Sequence, residues 1–266
     1  MSELSVRQPA VAGTFYPGNP RTLRKTVRQY LDEATLPDDL GTVRAVIAPH
    51  AGYVYSGPTA GYAFKALASL PAKERTVYLM GPPHRVAVRG VALGNYSAFR
   101  TPLGDAVVAV DLLDEMAEES RLYTLANEAH TLEHCLEVEV PFLQVVLPEF
   151  RLVPMLYGDV DAGDVAQDLA TRLGEDDLLV ISSDLSHYYP YDTARKLDLS
   201  FVQAVIDGDR RDAARGEACG RAPVIASMDI ARRKGWTPRL LDYRTSGDTA
   251  GDRWQVVGYA SVAYTE

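Results

Sequence analysis

The reading of the fold turns on TVRAVIAPHAGYVYSG, residues 42–57. Its first seven residues form an apolar, β-branched run of strand length, which reads as a buried strand. Pro49 and His50 follow at once. The next helix is expected over residues 58–70, with Pro58 in its first turn. The same grammar recurs downstream. TVYLM (76–80) is a second buried strand, ended by Gly81-Pro82-Pro83 and followed by His84, and DLLVISS (177–183) is a third, followed by Asp184. RLVPMLY (151–157) and the closing WQVVGYASVAYTE (254–266) add two more strands. Helices are expected over residues 111–120, 136–147, 161–173, 193–207 and 223–234, with Pro141 an irregularity in the second. Strands alternating with helices predict one α/β domain over residues 1–266. Its central sheet is mostly parallel or mixed and is covered by helices on both faces.

Composition bounds the function. The chain has 266 residues, 47% hydrophobic, enough for a full core. With 27 Lys plus Arg against 36 Asp plus Glu, the net charge is -9, which argues against nucleic acid or an anionic membrane as partner. No apolar run reaches membrane-spanning length, and MSELSVRQPAVAGTFYP (1–17) lacks the apolar core of a secretion signal. Two cysteines, Cys135 and Cys219, make no disulfide framework, so a reducing cytoplasm is the expected compartment.

In an open α/β sheet, ligands bind beyond the carboxyl ends of the strands. VIAPHAGYVYSG (46–57) places His50 there, VYLMGPPHR (77–85) places His84, and LVISSDLSHYYP (179–190) places Ser183, Asp184, Ser186 and His187. Any one of these histidines alone reads equally well as a loop residue without a role. Three of the chain's five at one topological position point to a shared ligand.

The other two histidines lie in AHTLEHCLE (129–137). His130 and His134 are four apart, so a helix would set them on one face, and HTLEH also fits the inverted zinc-peptidase pattern. A peptidase leaves the three strand-end clusters unexplained. Glu133 and His134 read better as acid–base or supporting groups of the same cleft, or as an exposed helix cap. Cys219, in GEACGRAPVIASM (216–228), lies near an expected helix N-terminus, a position that favours thiolate. An inert buried thiol is the alternative there, and Cys135 reads as structural.

RQPAVAGTFYP (7–17), IAPHAGYVYSG (47–57), GPPH (81–84), EHCLEVEVPFLQ (133–144), SSDLSHY (182–188) and ACGRAPV (218–224) together resemble the Memo family, in order and across almost the whole chain. That family includes the AmmeMemoRadiSam system protein B of bacteria and archaea. The resemblance implies a fold similar to the class III extradiol (LigB-type) dioxygenases. It carries metal ligands onto His50, His84 and Cys219, with Asp184 and His187 beside the metal. Fe(II) is the ion it implies first. A thiolate in place of the dioxygenases' carboxylate suits Cu or Zn as well. His187 would be the acid–base group oriented by Asp184, with His134 a second candidate. Cys135 departs from the serine common in the family at that position.

Tyr53, Tyr55 and Tyr188 flank these motifs, as walls for a small planar substrate or as core residues. Arg7 and residues 15–17 are expected to fold over the cleft mouth. Two functions follow. One is a non-heme metal-dependent redox enzyme acting on an unidentified small molecule. The other is a non-catalytic adaptor that uses the same cleft for a peptide or small ligand, although phosphopeptide sites usually rely on Arg clusters, which these motifs lack. The family name suggests a radical S-adenosylmethionine enzyme and an AMMECR-type protein as partners.

Overall fold

The computed structural model describes residues 5–266, so the first four residues of the N-terminal stretch discussed above lie outside it. Its strands are β1 (Val6–Arg7), β2 (Val43–Ala48), β3 (Glu74–Gly81), β4 (Val91–Leu93), β5 (Ala98–Thr101), β6 (Gly104–Val107), β7 (Tyr123–Leu125), β8 (Glu149–Tyr157), β9 (Leu178–Ser182), β10 (His187–Tyr189), β11 (Thr237–Thr245) and β12 (Val256–Thr265). Nine of them make one sheet in the order β10-β12-β2-β9-β3-β8-β4-β7, with β11 also paired to β12. The four central strands, β2, β9, β3 and β8, run parallel. Antiparallel β12 and β4 border them, so the sheet is mixed. The central strands are buried along most of their length, as the near-continuous apolar runs require.

Helical layers flank this sheet. Pro20–Glu33 packs on Tyr53–Ala68, and Ala162–Arg172 packs on Arg221–Lys234. Gly57 and Gly61 permit the first pairing: a Cβ at Gly57 would fall 2.3 Å from the Tyr30 ring, and one at Gly61 would fall 2.5 Å from the Tyr30 carbonyl. Phe64 stacks on Phe142 at 4.7 Å, closing the core between the helices. A small three-stranded sheet, β1-β5-β6, is paired separately and abuts β8 of the main one, where Val108, just after β6, bridges to Leu152.

The sequence reading did not anticipate the helix Pro20–Glu33 or the short strands β4 to β7, and three further elements differ from it. The helix expected from Pro58 begins at Tyr53, five residues earlier. The Tyr53 amide is satisfied by the Phe15 carbonyl at 2.7 Å, so a partner distant in sequence starts this helix. Pro58 therefore lies inside it and removes the bond to the carbonyl of Val54, an exposed residue. The stretch expected as one helix over 136–147 is a 3₁₀ turn, Glu137–Glu139, then a helix, Val140–Val146, with Pro141 in its first turn. Strand β11 had no signal because only β12 pairs with it. No residue before Thr245 in it is fully buried, so no alternation marks it.

Candidate functional site

Three adjacent parallel strands aim their carboxyl ends at one place. β2 ends at Ala48 and leads to His50, neighbouring β9 ends at Ser182 and leads to Asp184, and β3 ends at Gly81 and leads to His84. Neighbouring strands lie about 4.8 Å apart, so imidazoles from β2 and β3 can meet over the end of β9. They do: the His50 and His84 ring centres are 5.2 Å apart. His134 joins them, 5.5 Å from His50 and 4.8 Å from His84. One nitrogen from each of the three rings lies within 4.8 Å of the others.

The outer nitrogens of two rings are already engaged. His50 Nδ1 lies 2.7 Å from Ser182 Oγ, and His84 Nδ1 lies 2.9 Å from Glu133 Oε1. A ring whose Nδ1–H is given to an oxygen presents Nε2 as a lone pair, the arrangement of metal-binding histidines. Burial first, then the neighbouring His84 and His134, hold the His50 pKa well below its ordinary value, so this imidazole is neutral.

Glu133 gathers the segment. Besides His84 Nδ1 it accepts the backbone amides of His84, His134 and Cys135. Burial raises its pKa. The contacts from His134 and His84, with the amides, outweigh burial and hold the carboxyl far below the carboxylate range. His134 Nδ1 lies 3.1 Å from Glu133 Oε1, an ion-pair contact without hydrogen-bond geometry.

Arg7 fixes the same segment from the N-terminus. Its guanidinium donates to the carbonyls of His130 and Glu133 and to Glu137 Oε2, the last at 2.7 Å, and lies over the Phe99 ring. Glu137 also accepts the amides of Ala10 and Val11 and the Tyr16 hydroxyl. The N-terminal motif is thus bound to the site through buried charge, and Phe15 lies 4.9 Å from His134, ring to ring.

Cys219 stands just before Arg221–Lys234, and its sulfur is 3.3 Å from His50 Nε2. It accepts the Asp184 amide at 3.2 Å. The expectation that the helix N-terminus would favour thiolate is corrected here. Burial, then the Asp184 charge, push the thiol up to about 12, and the bonds from Asp184, Ser183 and Gly220 only partly oppose them. A cation bound at the sulfur would reverse that balance.

Asp184 accepts the His50 amide at 2.8 Å, and burial raises its pKa to about 6 against that bond and the nearby histidine charges. His187 lies on β10, its Nδ1 2.8 Å from the Leu185 carbonyl, which leaves Nε2 free to accept a proton. Tyr188 beside it has φ of 63°, a left-handed backbone forced by a bulge that lets both His187 and Tyr189 pair with β12.

The structure therefore brings the nitrogens of His50, His84 and His134 together, with Asp184 bonded to both the His50 and Cys219 loops. Cys219 touches His50, but its sulfur does not fall within 4.8 Å of all the donors of the expected His50, His84 and Cys219 set. The structure does not pair His130 with His134. The helix Asn127–His130 stops at His130, whose Nε2 lies 3.0 Å from the Ala92 carbonyl and whose ring packs edge-on to Phe99. The two-histidine helix face of the peptidase reading does not form. Tyr53 is buried, its hydroxyl on the Val138 carbonyl, and belongs to the core, whereas Tyr55 and Tyr188 are exposed. Cys135 is buried, with its sulfur 3.1 Å from the Pro82 carbonyl. It forms a second possible donor group with His84 and Glu133, but burial raises the thiol and Glu133 is spent on four hydrogen bonds. Sequence reasoning missed Ser182, Glu137 and Glu139 as supporting groups. Two buried glutamates alternating with valines in EVEV were the available signal.

The neutral His50 imidazole, two further ring nitrogens within 4.8 Å and a thiol in contact with His50 fit a borderline-soft metal ion. The fold and this donor set define an α/β protein with a candidate metal centre at the carboxyl ends of parallel strands. The chain belongs to the Memo-like protein family, which it matches over residues 7–263. It is 36% identical to a MEMO1 family protein of Methanothermobacter thermautotrophicus, covering 97% of this chain and 100% of the relative. It is 37% identical to one of Archaeoglobus fulgidus, covering 97% and 99%. The crystal structure of an uncharacterized protein from Escherichia coli K12 shares the fold, with a TM-score of 0.56 at 16% identity over 83% of this chain and 99% of that one. Among the described residues no helix is long and apolar enough to cross a membrane.

Proposed function

We propose that the protein holds one transition-metal ion through His50, His84 and Cys219 and acts as a non-heme metal-dependent redox enzyme related to the class III extradiol dioxygenases. The observation that carries this reading is that the nitrogens of His50, His84 and His134 lie within 4.8 Å of one another, with Cys219 Sγ 3.3 Å from His50 Nε2. Fe(II) is the expected ion, and the thiolate leaves Cu and Zn as the competitors. Such an ion supplies Lewis acidity and, for iron or copper, electrons. The chain's own residues would do the rest. Glu133 and Ser182 orient the imidazoles, and His134 supports the site from the side that Glu133 and Arg7 hold. His187 Nε2 would take a proton from a small planar substrate, for which exposed Tyr55 and Tyr188 supply aromatic surface.

The test is oxygen uptake by protein loaded with Fe(II) under anaerobic conditions, across a panel of catechols and related phenols. Uptake that is lost in His187→Gln supports the reading. No uptake by iron- or copper-loaded protein with any panel member removes oxygenase chemistry and favours the adaptor. A ligand that binds equally to metal-free and metal-loaded protein would identify that second function.

A further inference from the structure

Behind His50 lies a group that the chemistry above does not use. Ser182 Oγ has three polar neighbours: His50 Nδ1 at 2.7 Å, the Cys135 carbonyl at 2.7 Å and Glu139 Oε1 at 3.0 Å. A serine hydroxyl has one proton and two lone pairs, and the Cys135 carbonyl can only accept. Were Glu139 ionised, the single Ser182 proton could serve either the carbonyl or the carboxylate, and the other contact would set two lone pairs against each other. A neutral Glu139 closes the count. Its O–H donates to Ser182, His50 Nδ1–H donates to Ser182, and Ser182 donates to Cys135.

The surroundings of Glu139 agree. The residue is 1% exposed, its Oε2 has no hydrogen-bond partner, and among the described residues no Lys or Arg pairs with it. An ionised carboxylate left this way is strongly disfavoured. Burial accordingly holds its pKa well above the carboxylate range, and the charge on Asp184 adds to the rise.

We propose that Glu139 is a positioning residue of the site, a neutral carboxylic acid that donates to Ser182 and thereby commits His50 to the Nδ1–H form, with its Nε2 lone pair turned to the metal. The purpose assigned to the pair rests on the metal reading. The proton order does not, since it belongs to the metal-free protein.

The experiment combines infrared spectroscopy and ¹⁵N-histidine NMR on metal-free protein at neutral pH with Co(II) titration of the same samples. Wild type should show the carbonyl band of a protonated carboxyl group that vanishes in Glu139→Gln, and an Nδ1–H tautomer at His50. Glu139→Gln, whose amide N–H still donates to Ser182, should keep the tautomer and bind Co(II) within about threefold of wild type. Ser182→Ala should mix the tautomers and weaken Co(II) binding by about 10–100-fold, and Glu139→Ala should fall at the lower end of that range. No protonated-carboxyl band in wild type, an Nε2–H His50, or a Gln variant as weak as Ala would each overturn the proposal. A wild type that shows the band and tautomer but binds no Co(II) would overturn the metal reading and leave the proton order standing.

Discussion

Replacing Arg7 with methionine should damage the protein far more than removal of a surface charge. Arg7 and Glu137 are 2% and 1% exposed, and the substitution strips a cation from a carboxylate that cannot reach water. Glu137 would keep three neutral donors, the amides of Ala10 and Val11 and the Tyr16 hydroxyl, but no counter-charge. The carbonyls of His130 and Glu133 would also lose the guanidinium, leaving His130 only the longer bond from the Glu133 amide. Breaking a buried pair from one side costs about 3–5 kcal/mol, a large part of the roughly 5–15 kcal/mol that holds a domain folded. Urea unfolding at a shared m-value measures it. The double variant Arg7→Met, Glu137→Leu should recover most of the loss, because no lone charge then remains buried. A single-variant cost below about 1 kcal/mol, the range of exposed pairs, would refute the reasoning. So would a double variant no better than the single.

Cys219→Ala should cost at least about 10-fold in metal affinity while leaving the fold intact, since it removes a ligand bonded directly to the ion; competition with a coloured chelator reads it. In metal-free protein the Asp184 carboxyl has a folded pKa of about 6 against an ordinary 3.8, so the fold holds the proton more tightly. Its contribution is present below the ordinary value and is lost as pH rises toward 6. Wild-type stability should therefore fall by about 1–3 kcal/mol across that window relative to Asp184→Asn, whose difference curve should be flat if the shift is absent. Gly81→Ala should destabilise by about 1–3 kcal/mol. The new Cβ would sit 2.8 Å from Cys135 Sγ and 2.9 Å from Leu136, and thermal unfolding together with metal titration would show whether the neighbouring His134 moves with them.

The sheet was legible where strands are buried on both faces. The apolar runs at 42–48, 76–80 and 177–183 need no partner to identify them, and β2, β3 and β9 lie there. The start of the second helix was not legible, because the group that satisfies its first amide is the Phe15 carbonyl, thirty-eight residues earlier in the chain and set only by tertiary packing. His50, His84 and Asp184 were legible as strand-end residues. Cys219 needed the family motif, since its sequence context gives a helix start and no partner. His134 was visible, but the helical spacing that linked it to His130 misled. The chain leaves the helix at His130 because Arg7 and Glu133 hold the next residues in a turn. Glu139 was hidden for a similar reason: its role depends on a serine forty-three residues later and on proton counting that needs distances.

X-ray absorption at the metal edge of zinc-loaded protein tests the centre itself. One sulfur scatterer at about 2.3 Å with imidazole nitrogens at about 2.0–2.1 Å is the expected result, and the sulfur should vanish in Cys219→Ala. A shell of nitrogen and oxygen alone in the wild type, or a sulfur that survives the substitution, would contradict it.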